Sequence, residues 1–391
     1  MATRAIQTPQ PGRDPTSLLP RRPVLRIDLV LVLAAVGLSV CSLVTIGGIS
    51  HAQMVRQGAY LGLGVLIMLA VSRIDYSRLR ELKWGLYVIL IGAVLIVLGV
   101  GRSIGGVSTR SISFGAFSFQ GSEFGKVLLI VFLAAFIVDS SRQTTGRELV
   151  ARVMLLALAP AMLVVAEPDL GSGLVYVAIA VGALYIAGAA WQHLSALAVL
   201  GIGAFLLVVV IFPAVGIHAL HTQVGRIEAF LHPSANPNAV GHQQYESTVA
   251  IGSGQKLGRG AAATQTSLGL VSEPSTDFIF AVVGERFGFA GAAFVLSLYA
   301  LIIWRGLRIV AAAKNLFGAL VAAGVVAMLL FQVFVNVGVA VGILPVTGVT
   351  LPLMSYGGSS VLATFLALGL VQSIHVQARL ATGTKGRVLS I

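Results

Sequence analysis

The chain has 391 residues, of which 57% are hydrophobic and only 10% charged, and its mean hydropathy is +0.94. So much apolar surface has no place on a water-soluble domain, which excludes a soluble enzyme and leaves an all-α polytopic membrane protein. The net charge of +12 then reads as a topology signal and an affinity for anionic membrane lipids, with no nucleic-acid partner.

A helical span needs about 20 mostly apolar residues. Ten segments approach that length: 28–48, 57–73, 84–101, 124–139, 150–167, 169–189, 193–213, 277–304, 315–342 and 357–377. Lys and Arg cluster in 1–27, 73–83, 139–152, 305–314 and after 378, so both termini are expected in the cytoplasm. Trp84, Trp191 and Trp304 fall at the expected inner ends of spans, as an interfacial belt requires. Residues 1–27 are Pro- and Arg-rich and are expected to form a disordered cytoplasmic tail. They lack an early apolar core, so the first span is its own insertion signal. Residues 28–377 make up the membrane domain and 378–391 a second cytoplasmic tail. The single cysteine, Cys41, excludes an intrachain disulfide and a cysteine metal site.

In chain order, 28–101 reads as scaffold. The outer loop 102–123 is rich in Gly and Ser and delivers Arg102 and Arg110. It leads into Glu123 and Lys126, spaced i, i+3 on one face of the entering helix. Two readings are open there: a self-neutralising ion pair, or the lining of a polar cavity. At Glu167–Pro168–Asp169 two carboxylates bracket a proline; this is either a surface hairpin or a cavity-lining break, with Asp169 suited to cap the next span.

The stretch 214–276 is the large extracellular loop, between helices 7 and 8. It carries Arg226, His232, His242, Lys256 and Arg259 along a glycine-rich strip. The two histidines lack zinc-like spacing, whereas glycines beside Lys256 and Arg259 suit a pyrophosphate. Asp277 follows at the junction of this loop with an apolar helix. A lone carboxylate at that depth is a functional candidate by default; the bland alternative is an acid in a helix's first turn. Glu285 and Arg286, about 12 Å further along, read as ties to neighbouring spans. The block 336–360 is broken by Pro345 and Pro352 and rich in small residues, so it is expected to be re-entrant or kinked and to face a cavity. Ser355 lies within it.

Taken together, FQGSEFGK (119–126), AEPDLGSG (166–173), the run from Arg226 to Gly260, EPSTDFIFAVVGERFGF (273–289) and PVTGVTLPLMSYGGSS (345–360) resemble the SEDS family of RodA, FtsW and SpoVE, most nearly RodA. The chain departs from the family pattern at Gly121, Ser111 and Ser275. The resemblance implies ten transmembrane helices and a peptidoglycan glycosyltransferase in the bacterial plasma membrane. It would polymerise lipid II for cell elongation and shape, together with a class B penicillin-binding protein. It assigns the essential acid, and so the general base, to Asp277, and cavity roles to Glu123 and Lys126. Arg110, Arg226, Lys256 and Arg259 are the cations available for a pyrophosphate, and Ser355 is a further cavity residue. No metal site is evident, although a divalent cation could clamp charge. The competing readings are a flippase for a lipid-linked substrate and a division-type relative.

Overall fold

The computed structural model describes residues 27–103, 111–114, 117–141, 144, 146–167, 169–206, 230, 240–271 and 273–388. The helices are α1 (Leu29–Gly47), α2 (His51–Val71), α3 (Lys83–Ser103), α4 (Gly121–Ser140), α5 (Gly146–Val165), α6 (Leu170–Ile186) and α7 (Trp191–Leu206). They continue with α8 (Val240–Ser253), α9 (Ile279–Ala312), α10 (Leu316–Ala340) and α11 (Gly358–Val388). Among the described residues, α1, α2, α4, α5, α9, α10 and α11 are long and apolar enough to cross a membrane; α3 and α6 are apolar over shorter stretches. A two-stranded hairpin, Ile112–Phe114 against Phe117–Phe119, interrupts the expected outer loop.

Helices α4, α10 and α11 are buried over most of their length and occupy the centre of the bundle, so the polar groups they carry must find partners within it. Small residues let them approach their neighbours. A side chain at Gly324 of α10 would meet Ile130 of α4, and one at Gly369 of α11 would meet the main chain of Met68 in α2. One end of the bundle is tied by Asp28, the N-cap of α1, which pairs with Arg305 of α9 and exchanges main-chain hydrogen bonds with the Gln372 amide of α11 at 2.8 and 2.9 Å. The other end carries Asp277.

Several boundaries differ from expectation. Helix α2 starts at His51, six residues early, because Ser50 caps it and its polar first turns hold Gln57, which faces inward. The large loop contains α8, whose buried face of Gln244, Ser247 and Ala250 is small or polar and so escapes a hydropathy reading. Helix α11 continues past residue 377. The tail 1–26, Arg110, Arg226 and His232 lie outside the described residues.

Helix α9 begins at Ile279 and breaks at Gly288, where φ is 63° and ψ −161°. The break frees main-chain groups that the loop after α8 takes up. Phe289 N donates to Gln255 O (2.8 Å), Ala290 N to Lys256 O (3.1 Å), and Arg259 N to Glu285 O (2.8 Å). The glycines of the strip make this contact possible: a Cβ on Gly258, which has φ +84°, would lie 2.2 Å from Arg286 O. Gly258→Ala and Gly288→Ala should therefore each destabilise the protein by roughly 2 kcal/mol or more. Thermal unfolding in detergent would read this directly, with Gly62→Ala, where a Cβ has nothing within 4 Å, expected to be near neutral.

Candidate active site

Asp277 stands in the turn that precedes α9 and is half-buried. The main chain of this turn is held by the non-helical segment 341–357 and by Asn336 of α10. Tyr356 N donates to Ser275 O (2.7 Å), Ser355 Oγ to Thr276 O (2.6 Å), and Asn336 Nδ2 to Asp277 O (2.9 Å). Residues 341–357 are irregular, as expected from the two prolines, and are buried from Val346 to Ser355 apart from partly exposed positions, whereas Ile343 is exposed and 336–340 belong to α10. Ser355 is 1% exposed, and its hydroxyl also accepts from Leu351 N at 2.8 Å, so both of its hydrogen-bonding directions serve the main chain.

At the same end of the bundle lies a buried polar layer. Lys126 Nζ donates to Glu123 Oε1 at 2.7 Å, with both side chains at most 5% exposed. The pair does form, and its burial makes it costly to break: removing one member of a buried pair costs about 3–5 kcal/mol. Gly125 brings α6 against it, since a Cβ there would lie 2.0 Å from Tyr176 Oη. That hydroxyl donates to Ser122 O (3.1 Å) and lies within electrostatic range of Glu123, Glu167 and Asp169. Asp169 caps α6 by accepting from Ser172 N (3.0 Å) and also accepts from Gln120 Nε2 (3.2 Å). Gly171 packs on the 341–357 segment at Thr347 and Val349. Among the described residues five helices, α2, α4, α6, α9 and α11, start at this end of the bundle, and their N-termini favour negative charge.

Glu167, in the turn between α5 and α6 and outside both helices, is fully buried. Among the described residues neither of its carboxylate oxygens has a hydrogen-bond partner. Burial, reinforced by the Asp169 charge, pushes its carboxyl up from 4.5 to about 8, so it carries a proton at neutral pH.

The remaining candidates sit on the glycine strip. Lys256 is exposed. Arg259 is exposed too, and is tethered through Nε to Ser253 O (3.0 Å) and Nη1 to Thr264 Oγ1 (3.1 Å). Glu285 and Arg286 are ties, as their position in the helix suggests: the Glu285 carboxylate accepts from Gln265 N and Thr266 N (2.7 and 2.9 Å), and Arg286 donates to Gly48 O (2.6 Å). Among the described residues no three His, Cys, Asp or Glu side chains are grouped to hold a metal. Sequence reasoning passed over Gln57, Gln244 and Asn336. The signal was present as amides inside or beside apolar runs, each of which needs a partner when buried.

A family model described as "Cell cycle protein", for FtsW, RodA and SpoVE, matches residues 21–380. The probable peptidoglycan glycosyltransferase FtsW of Thioalkalivibrio sulfidiphilus is 37% identical over 395 residues, covering 94% of this chain and 94% of that protein. The peptidoglycan glycosyltransferase MrdB of Escherichia coli is 34% identical over 359 residues, covering 90% and 93%. A solved structure described as "Structural coordination of polymerization and crosslinking by a peptidoglycan synthase complex" superposes with a TM-score of 0.76 at 31% identity, over 91% of this chain and 99% of that one.

The raised Glu167 carboxyl fixes a pH dependence. A group whose folded value lies above its unfolded one binds extra protons in the native state, so its contribution is present below about pH 4.5 and is lost as pH rises toward 8. Glu167→Gln keeps the neutral shape, and its thermal stability relative to the parent should widen in the variant's favour between pH 5 and pH 8. A constant difference across that range would mean the carboxyl ionises normally.

Proposed function

The chain belongs to the FtsW–RodA–SpoVE family of cell cycle proteins, and from that membership we propose that it is a peptidoglycan glycosyltransferase of the bacterial plasma membrane that polymerises lipid II. Asp277 takes the proton from the 4-hydroxyl of the acceptor sugar. That oxygen forms the new bond to the anomeric carbon of the donor, and the bond from that carbon to undecaprenyl pyrophosphate breaks, its electron pair leaving with the pyrophosphate. Such chemistry needs a base at one oxygen and positive charge at the other. The observation that carries this reading is the pinned turn: Asp277 stands at the bundle end where α2, α4, α6, α9 and α11 begin and where the Glu123–Lys126 pair is buried. Lys126, Lys256 and Arg259, with Arg110 and Arg226, supply cations for the leaving group.

Ten spans with both termini cytoplasmic put this end of the bundle on the outer face, with 214–276 as the extracellular loop. The clustering of Lys and Arg in alternate loops supports that topology. A class B penicillin-binding protein would cross-link the strands, a partnership supported by the likeness to the synthase complex. Relatives named FtsW and MrdB match at 37% and 34% identity, so the activity common to both is what the chain carries. Polar groups gathered at one end of the bundle favour surface chemistry over a flippase, which would hold them near the midplane.

Purified protein, alone and with a class B penicillin-binding protein, should build glycan strands from lipid II in detergent. Asp277→Asn should lower the rate at least about 100-fold with its thermal unfolding unchanged. Persistent polymer from a folded Asp277→Asn variant removes Asp277 from the chemistry.

A further inference from the structure

The direction in which an α-carbon projects its side chain is fixed by the two peptide planes that flank it, because each plane is rigid and only φ and ψ turn between them. For Asp277 these planes end in the carbonyls of Thr276 and Asp277. The first accepts from Ser355 Oγ at 2.6 Å and the second from Asn336 Nδ2 at 2.9 Å. A third carbonyl, that of Ser275, accepts from Tyr356 N at 2.7 Å. All three lie in the turn before α9, which starts at Ile279.

The two side-chain donors are themselves fixed. Asn336 is 2% exposed on α10 and spends its second amide proton on Val349 O at 2.8 Å; Ser355 is 1% exposed and accepts from Leu351 N. An apolar residue at 336 would leave the carbonyls of Asp277 and Val349 without these donors, and one at 355 would leave the Thr276 carbonyl and the Leu351 N–H without theirs.

We propose that Asn336 and Ser355 are positioning residues for the transfer reaction, clamping the peptide planes on either side of Asp277 so that its carboxylate is aimed before substrate arrives. The proposal rests on the reading of Asp277 as the base. Pre-set orientation of this kind acts on the chemical step and leaves substrate affinity alone.

The test is steady-state polymerisation of lipid II by the full-length protein with its penicillin-binding protein, alongside thermal unfolding. Asn336→Ala and Ser355→Ala should each lower kcat by about 10- to 100-fold with KM within about two-fold, and Ser355→Thr, which keeps the hydroxyl, should regain most of the rate. Gln244→Ala is the comparison. Gln244 Nε2 also donates to two main-chain carbonyls at this end of the bundle, Val339 O (3.1 Å) and Leu344 O (2.6 Å), but touches nothing at 275–277. It should lose stability while keeping kcat. In the Asp277→Asn background, Asn336→Ala should slow the residual rate no further, because two changes acting through one group do not add. Equal losses of kcat in Gln244→Ala and Asn336→Ala, or additive losses with Asp277→Asn, overturn the clamp. If Asn336→Ala does not fold, the Ser355→Ala and Ser355→Thr pair decides. Undiminished polymerisation by Asp277→Asn defeats the reading of the base; a normal kcat in the clamp variants beside an inactive Asp277→Asn defeats the clamp alone.

Discussion

A stretch of chain that is neither helix nor strand cannot lie inside a membrane bundle unless something other than itself satisfies its main chain. Segment 341–357 is such a stretch, and the polar residues of the surrounding helices are distributed to meet its needs. Ser42 of α1 donates to Met354 O, Gln57 of α2 bonds Ser355 O and accepts from Gly357 N, Tyr299 of α9 donates to Pro352 O, and Asn336 of α10 donates to Val349 O. Each of these side chains would be a liability in an apolar helix on its own. Together they hold an irregular loop in one arrangement, and that loop in turn holds the main chain of the Asp277 turn.

Electrostatics follows the same economy. With one residue in ten charged, most buried charges have an evident partner. Asp28 meets Arg305, Glu123 meets Lys126, and Glu285 accepts main-chain donors. Glu167 breaks this rule among the described residues, and protonation is its physical remedy, since a neutral carboxyl escapes most of the cost of burying an ion.

How much of this was legible in the sequence depends on what each residue does. Apolar runs announced the long helices because lipid-facing and core-facing surfaces are both apolar. The i, i+3 spacing of Glu123 and Lys126 announced their contact, Asp169 announced its cap, and two prolines announced the irregular segment. Helix α8 stayed hidden because its inward face carries Gln244 and Ser247, which donate to carbonyls at the end of α10 and have no hydrophobic period to show. The break at Gly288 stayed hidden because one glycine in an apolar run is ordinary until the strap that crosses it is seen. Gln57 was read as the edge of a span, since its partners, Ser355 and Gly357, lie some 300 residues further along the chain.

The knot at Asp28 bears on how the protein is made. A ribosome delivers α1 first, yet the groups that complete its N-cap, the Arg305 guanidinium and the Gln372 amide, come 277 and 344 residues later. Until α9 is made the cap lacks its guanidinium, and until α11 is in place the main chain of Asp28 lacks its bonds to the Gln372 amide. A chain stalled or clipped before Gln372 therefore differs from a finished one at its very beginning, where both main-chain bonds of Asp28 to that amide are missing.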